Sequence, residues 1–127
     1  MQHEKIKAII DHYISTYNVF DIDGMLANMH PDIVFQNISA GQITMSTTGI
    51  AEFRAAAEQA KKTFMSRCQT VTNYEILDDT ANIDIDYEGV LAIDLPDGPK
   101  AGETLRLTGR SSFEFQDGLI RRLTDYS

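Results

Sequence analysis

The hydrophobic positions follow two rhythms along this chain, and the change between them falls near the middle. From Glu4 to about Phe20 the apolar residues Ile6, Ile9, Ile10, Tyr13, Ile14 and Tyr17 recur at the i, i+3, i+4, i+7 spacing of an amphipathic helix. Asp21-Ile22-Asp23-Gly24 interrupts that pattern, and Asp21 is suited to cap a short second helix carrying Met25, Leu26 and Met29. His30-Pro31-Asp32 ends it, because the residue before a proline avoids helical backbone. Ile33 to Ile38 reads as a strand rich in β-branched and aromatic residues, with a weaker strand from Ile43 to Ser46. Thr48 and Gly49 open a third helix that puts Ile50, Phe53, Ala57, Ala60 and Phe64 on one face.

After Phe64 the period becomes two. Gln69 to Leu77 is one strand, and Asp78-Asp79 marks a turn. From Ala81 to Ile93, Ile83, Ile85, Tyr87, Gly89, Leu91 and Ile93 share a face, with Asp84, Asp86, Glu88 and Asp94 mostly opposite. A loop at Pro96-Asp97-Gly98-Pro99 follows. Leu105, Leu107, Gly109, Ser111, Phe113 and Phe115 then alternate with polar residues. Gln116-Asp117-Gly118 is a hairpin turn signal, and Leu119 to Tyr126 is the last strand. Three helices from the N-terminal half, then an antiparallel meander, predict an α+β domain over residues 1–127 with the helices on one sheet face. Gly89 and Gly109, central on apolar strand faces, mark bends. The sheet therefore curls into a mostly antiparallel cone whose concave side encloses a pocket. Tyr13, Tyr17, Phe35, Asn37, Phe53, Leu107, Ser111 and Phe113 are predicted to share that interior.

Composition narrows the partners. The 127 residues fit one domain and bury roughly two-thirds of the unfolded surface. The net charge of −8, with scattered basic residues and no interleaved aromatics, argues against nucleic acid and anionic membranes. No apolar run approaches a membrane span and the N-terminus is polar, so the expected location is the cytoplasm. The single cysteine, Cys68, excludes an intrachain disulfide and reads as a small buried apolar residue. His3, His12 and His30 lack metal-site spacing, and neither a phosphate loop nor a G-x-S-x-G elbow occurs. Neither a metal nor a cofactor is expected.

Several short motifs, in order, resemble the nuclear transport factor 2-like superfamily and its SnoaL-like branch. They are Tyr13; Asp21-Ile22-Asp23-Gly24 with Leu26; Pro31-Asp32-Ile33-Val34-Phe35; Gly49-Ile50 with Phe53-Arg54; and Phe113 to Ile120, followed by Asp125-Tyr126. The likeness spans nearly the whole chain. It implies a cone fold, whose members include isomerases, polyketide cyclases, epoxide hydrolases, dehydratases and proteins without catalysis. In the ketosteroid isomerase pattern the resemblance places the oxyanion-binding tyrosine at Tyr13, the base at Asn37 and the second donor at Ser111. An amide cannot take a proton from carbon at neutral pH, so that chemistry is excluded in that arrangement. The Asp-Arg-Asp pattern of limonene epoxide hydrolase is absent too, since Arg106 and Arg110 lie on the strand face opposite Ser111.

Tyr13, Asn37 and Ser111 either converge as hydrogen-bonding groups on a carbonyl or satisfy one another and the core. Asp125 has two readings. It is an inward, buried carboxyl suited to acid–base work, as the resemblance to SnoaL-like cyclases implies, or a surface acid paired to Arg106 or Arg110. Asp84 and Asp86 read as a solvated strand face. Val90 and Ala92 make a small apolar patch on the sheet's outer face, and with the resemblance imply a homodimer. The sequence thus leads to a protein binding a small, largely apolar molecule, with cofactor-independent proton transfer by Asp125 and Tyr13. The alternative is a non-catalytic binding or dimeric interaction domain.

Overall fold

The amphipathic stripe of the first helix is realised in the computed structural model, which describes all 127 residues. Helix α1 spans His3–Asn18 and buries Ile6, Ile9, Ile10, Tyr13 and Ile14, the residues of its apolar stripe. Helix α2, Ile22–Leu26, is capped by Asp21, whose side chain accepts a hydrogen bond from the Gly24 N–H. Strands β1, Met29–Ser39, and β2, Gln42–Thr48, form a hairpin, and helix α3, Ile50–Lys61, follows. The remaining strands are β3, Phe64–Leu77; β4, Thr80–Leu91; β5, Thr104–Gln116; and β6, Leu119–Tyr126.

The six strands form one sheet in the order β2-β1-β6-β5-β4-β3. All neighbours are antiparallel except β1 and β6, which run parallel. Helix α1 lies over β3 and α3 over β1, so the helices cover one sheet face. Between them sits a core in which Ile6, Ile10, Ile33, Phe113, Ile120 and Leu123 are almost wholly removed from water. No helix is long and apolar enough to cross a membrane.

Four sequence expectations shift. Met29 belongs to β1, not α2, and the strand runs through His30 and Pro31. Proline has no N–H for the ladder, and the β1–β6 pairing breaks between Met29 and Val34, where Pro31 sits. Strand β3 starts at Phe64, five residues before Gln69. Ile93 lies past the end of β4, whose last paired residue is Leu91, and is exposed. Cys68 is exposed rather than buried. It stands between Arg67 and Gln69, whose side chains turn inward, so alternation sends it outward.

Candidate functional site

The sheet register assembles the site. Asn37 on β1 is opposite Asp125 on β6, Asp125 is opposite Ser111 on β5, and Ser111 is opposite Ile83 on β4. Directly paired residues project to the same face. Ile83 is fully buried in the core, so the whole row, Asp125 included, points inward. Of the two readings of Asp125, the geometry selects the inward one. Arg106 and Arg110 pair instead with Glu88 and Asp84 on the outer face.

The concave side holds a cavity of about 380 Å³. Tyr13 and Tyr17 line it from α1, Met25 from α2, and Phe53, Ala56, Ala57, Gln59 and Ala60 from α3. The sheet contributes Phe35, Asn37, Thr44, Met45, Arg67 and Asp125, and Thr63 closes the list of wall residues. Phe35 and Phe53 meet edge to face with ring centres 5.3 Å apart. Most of this lining is apolar, which suits an apolar body of ligand with a few polar groups to orient it.

The polar groups divide into those already engaged and those left open. Ser111 Oγ donates to an Asp125 carboxylate oxygen at 2.7 Å. Asn37 Nδ2 donates to Thr44 Oγ1 at 2.7 Å. The Tyr17 hydroxyl donates to the Tyr87 hydroxyl at 3.1 Å. The Tyr13 hydroxyl makes no hydrogen bond within the chain, although its ring is buried against Phe113 and Tyr17. Removal from water pushes the Asp125 carboxyl up to about 6, while the Ser111 hydrogen bond pulls the other way. Burial and the nearby Asp125 charge drive the Tyr13 phenol well above its ordinary range, so it stays protonated and remains a donor. Burial likewise raises Tyr17 and Tyr87.

Of the residues expected in the interior, Tyr13, Tyr17, Phe35, Asn37, Phe53 and Asp125 line the cavity directly. Ser111 and Phe113 lie just behind its wall, one bonded to Asp125 and the other packed on Tyr13. Leu107 does not belong to it. That residue is 38% exposed and lies in a separate cleft of about 450 Å³, beside Cys68, Asp86, Glu88 and Arg106. It shares the alternation of Ser111 but sits four residues nearer the N-terminal end of β5. Arg67 is the charged wall residue that the sequence reading does not reach. A strand that starts at Gln69 leaves Arg67 outside the alternating segment. Carrying period two back from Val71 through Gln69 would have placed it inward.

Comparison with known proteins agrees with this architecture. Residues 10–123 match the SnoaL-like domain family. No curated protein matches the chain. Solved structures share the fold at low identity. A candidate polyketide cyclase from Silicibacter sp. TM1040 is 24% identical with a TM-score of 0.76, the match covering 99% of this chain and 90% of that one. A candidate polyketide cyclase from Xanthomonas campestris pv. campestris is 22% identical with a TM-score of 0.76, over 98% of this chain and 90% of that one. A protein of ketosteroid isomerase-like fold from Catenulispora acidiphila DSM 44928, in complex with trimethylamine, is 13% identical with a TM-score of 0.77, over 94% and 84%.

Proposed function

We propose that this chain, which belongs to the SnoaL-like family, binds a small, largely apolar molecule in its concave cavity and moves a proton on it without a cofactor. One observation carries the reading: the Asp125 carboxyl stands in an apolar cavity with Ser111 as its hydrogen-bond partner and a pKa near 6. Such a group is ionised at neutral pH yet retains enough basicity to take a proton. In the proposed step the Asp125 carboxylate removes a proton from the carbon next to a ligand carbonyl. The electron pair of the broken C–H bond moves to the carbonyl oxygen, and the Tyr13 hydroxyl donates a hydrogen bond to the resulting enolate. Protonated Asp125 then returns the proton to the same or a neighbouring carbon. Asn37 and Ser111 are positioning groups in this scheme. A second copy of the chain is proposed to pack on the outer sheet face.

The test needs no knowledge of the natural substrate. 2-Tetralone is an apolar bicyclic ketone with acidic α-hydrogens, and their exchange for deuterium from solvent is followed by NMR. The protein is expected to accelerate exchange above buffer. Asp125→Asn should lose roughly 10²–10⁴-fold of that acceleration, the usual worth of a general base. Tyr13→Phe should lose roughly 10²-fold, as for one oxyanion donor. No acceleration by the wild type, or an Asp125→Asn variant as fast as wild type, would leave only the non-catalytic binding reading.

A further inference from the structure

Arg67 is 5% exposed, yet it belongs to none of the chain's ion pairs. The other arginines are on the surface and supplied: Arg54 with Asp23, Arg106 with Glu88, Arg110 with Asp84, Arg122 with Glu114, and Arg121 with the Asp32 carbonyl. Arg67 Nε donates to the Tyr17 carbonyl at 2.9 Å, at the C-terminal turn of α1. The guanidinium is stacked on the Tyr17 ring, 3.6 Å from its centre, and on the Phe20 ring at 4.5 Å. Beyond that, Nη2 approaches only the Met25 sulfur at 3.9 Å, a weak acceptor, and Nη1 has no acceptor. Both terminal nitrogens therefore lack an oxygen partner in a residue that forms part of the cavity wall.

A buried guanidinium without a counter-charge is costly unless something supplies one. The Tyr17 carbonyl and the two rings offset part of that cost and hold the group rigid. They do not use the two-pronged Nη edge, whose geometry matches a carboxylate. Asp125 is not its partner: that carboxylate accepts from Ser111 Oγ and forms no ion pair with Arg67. The missing partner is then a negative group that comes with the ligand.

We propose that Arg67 is the anion-binding residue of the cavity, and that the ligand class is a small, ring-bearing, otherwise apolar carboxylic acid held by its carboxylate on the Arg67 Nη edge. This rests on the cavity being the ligand site and narrows what enters it. The apolar body of the acid lies along Phe35, Phe53 and the alanines of α3. The chain's net charge of −8 would repel an anion from most of the surface, so a cation kept inside the cavity is where such a ligand can be held.

The test compares 2-naphthoate with its neutral counterpart 2-naphthamide by titration calorimetry at pH 7.5. Naphthoate should bind roughly 10- to 100-fold more tightly, the range of hydrogen bonds to a charged group. Arg67→Met should abolish that preference while leaving naphthamide affinity within about threefold. Arg67→Lys, which keeps the charge and loses the fork, should retain part of it, and it preserves the test should the methionine variant misfold by circular dichroism. Arg106→Met in the separate outer cleft should change nothing. Equal binding of the two compounds overturns the carboxylate assignment and leaves the cavity as a site for neutral molecules. A preference that survives Arg67→Met, or is lost with Arg106→Met, places the anion elsewhere and overturns it too. Binding of neither compound overturns it together with the cavity reading, whereas a failed exchange assay with intact naphthoate preference removes only the proton-transfer step.

Discussion

Asp125 carries an energetic signature that can be measured apart from any activity. Its carboxyl titrates near 6 in the folded chain against an ordinary 3.8. A raised carboxyl binds its proton more tightly when folded, so the associated stability is fully present below about pH 4 and is lost as pH rises through about 6. The side chain touches the cavity and some water, so the loss at neutral pH is about 1–2 kcal/mol rather than the full value of the shift. Asn in its place stays neutral and can keep the Ser111 contact. Asp125→Asn is therefore expected to raise the melting temperature by several degrees at pH 7 and by nothing at pH 4. Thermal unfolding across that range checks it; a pH-independent difference would mean that the carboxyl is not desolvated. Tyr13 complements this residue. Its hydroxyl is unengaged within the chain while its ring is fixed by Phe113, which makes it a donor held in place and available.

Among the elements, β5 shows how closely a neighbouring strand can approach at a glycine. A Cβ added to Gly109 would stand 2.7 Å from the Tyr126 carbonyl oxygen, on the neighbouring strand. That atom is backbone and cannot swing aside. A Cβ at Gly89 would also meet a neighbour at 2.7 Å, but there it is the Phe64 ring, which can turn. Gly109→Ala is thus expected to cost roughly 1–3 kcal/mol and Gly89→Ala less than about 1. Urea unfolding of the two variants checks the order, and equal costs would deny the close approach of β5 to β6 its role. Along the same strand Leu107 parts from Ser111: alternation gives both the same face, yet Leu107 is exposed and Ser111 buried. Strand β3 teaches the converse. Its first alternating residues are hidden by Ser66 and Arg67, which show no apolar face until the strand is extended backward.

On the scale of the whole molecule, the two sheet faces differ in kind. The outer one carries Ser46, Gln36, Thr124, Ser112 and Asn82 in one paired row, with ion pairs Arg122–Glu114, Arg110–Asp84 and Arg106–Glu88 around it. It is small-featured and polar, and the Val90 patch lies toward one end rather than at its centre. A second copy laid on this face would meet hydrogen-bonding groups more than an apolar surface. Sedimentation at micromolar concentration is expected to give the mass of two chains, and Ser112→Arg, which puts a long cation in the middle of the row, is expected to shift it to one. A wild-type chain that sediments as a monomer would end the proposal of a pair.

Much of the fold was legible because it rests on local periodicity. The α1 stripe, the Asp21 cap, the alternation of β4 and β5 and the Gly118 turn are each written within a few residues, and burial then follows from period alone. The order of helices and meander strands was legible in the same way, and with it the mostly antiparallel sheet. What alternation could not settle is which of two opposite faces a short terminal strand turns inward, since Leu123, Asp125, Ile120 and Tyr126 claim both. That was decided by register: a parallel partner at Asn37, far away in sequence, and an antiparallel one at Ser111 across the hairpin hold Asp125 on the core side. Arg67 differs in part: alternation carried back through Gln69 gives its face, but not its burial. A charged residue is read as solvated by default, and only the packing of α1 and α2 over the start of β3 removes it from water. Contacts between distant segments determine which polar groups are buried, and Arg67 and Asp125 are two that they set against the cavity.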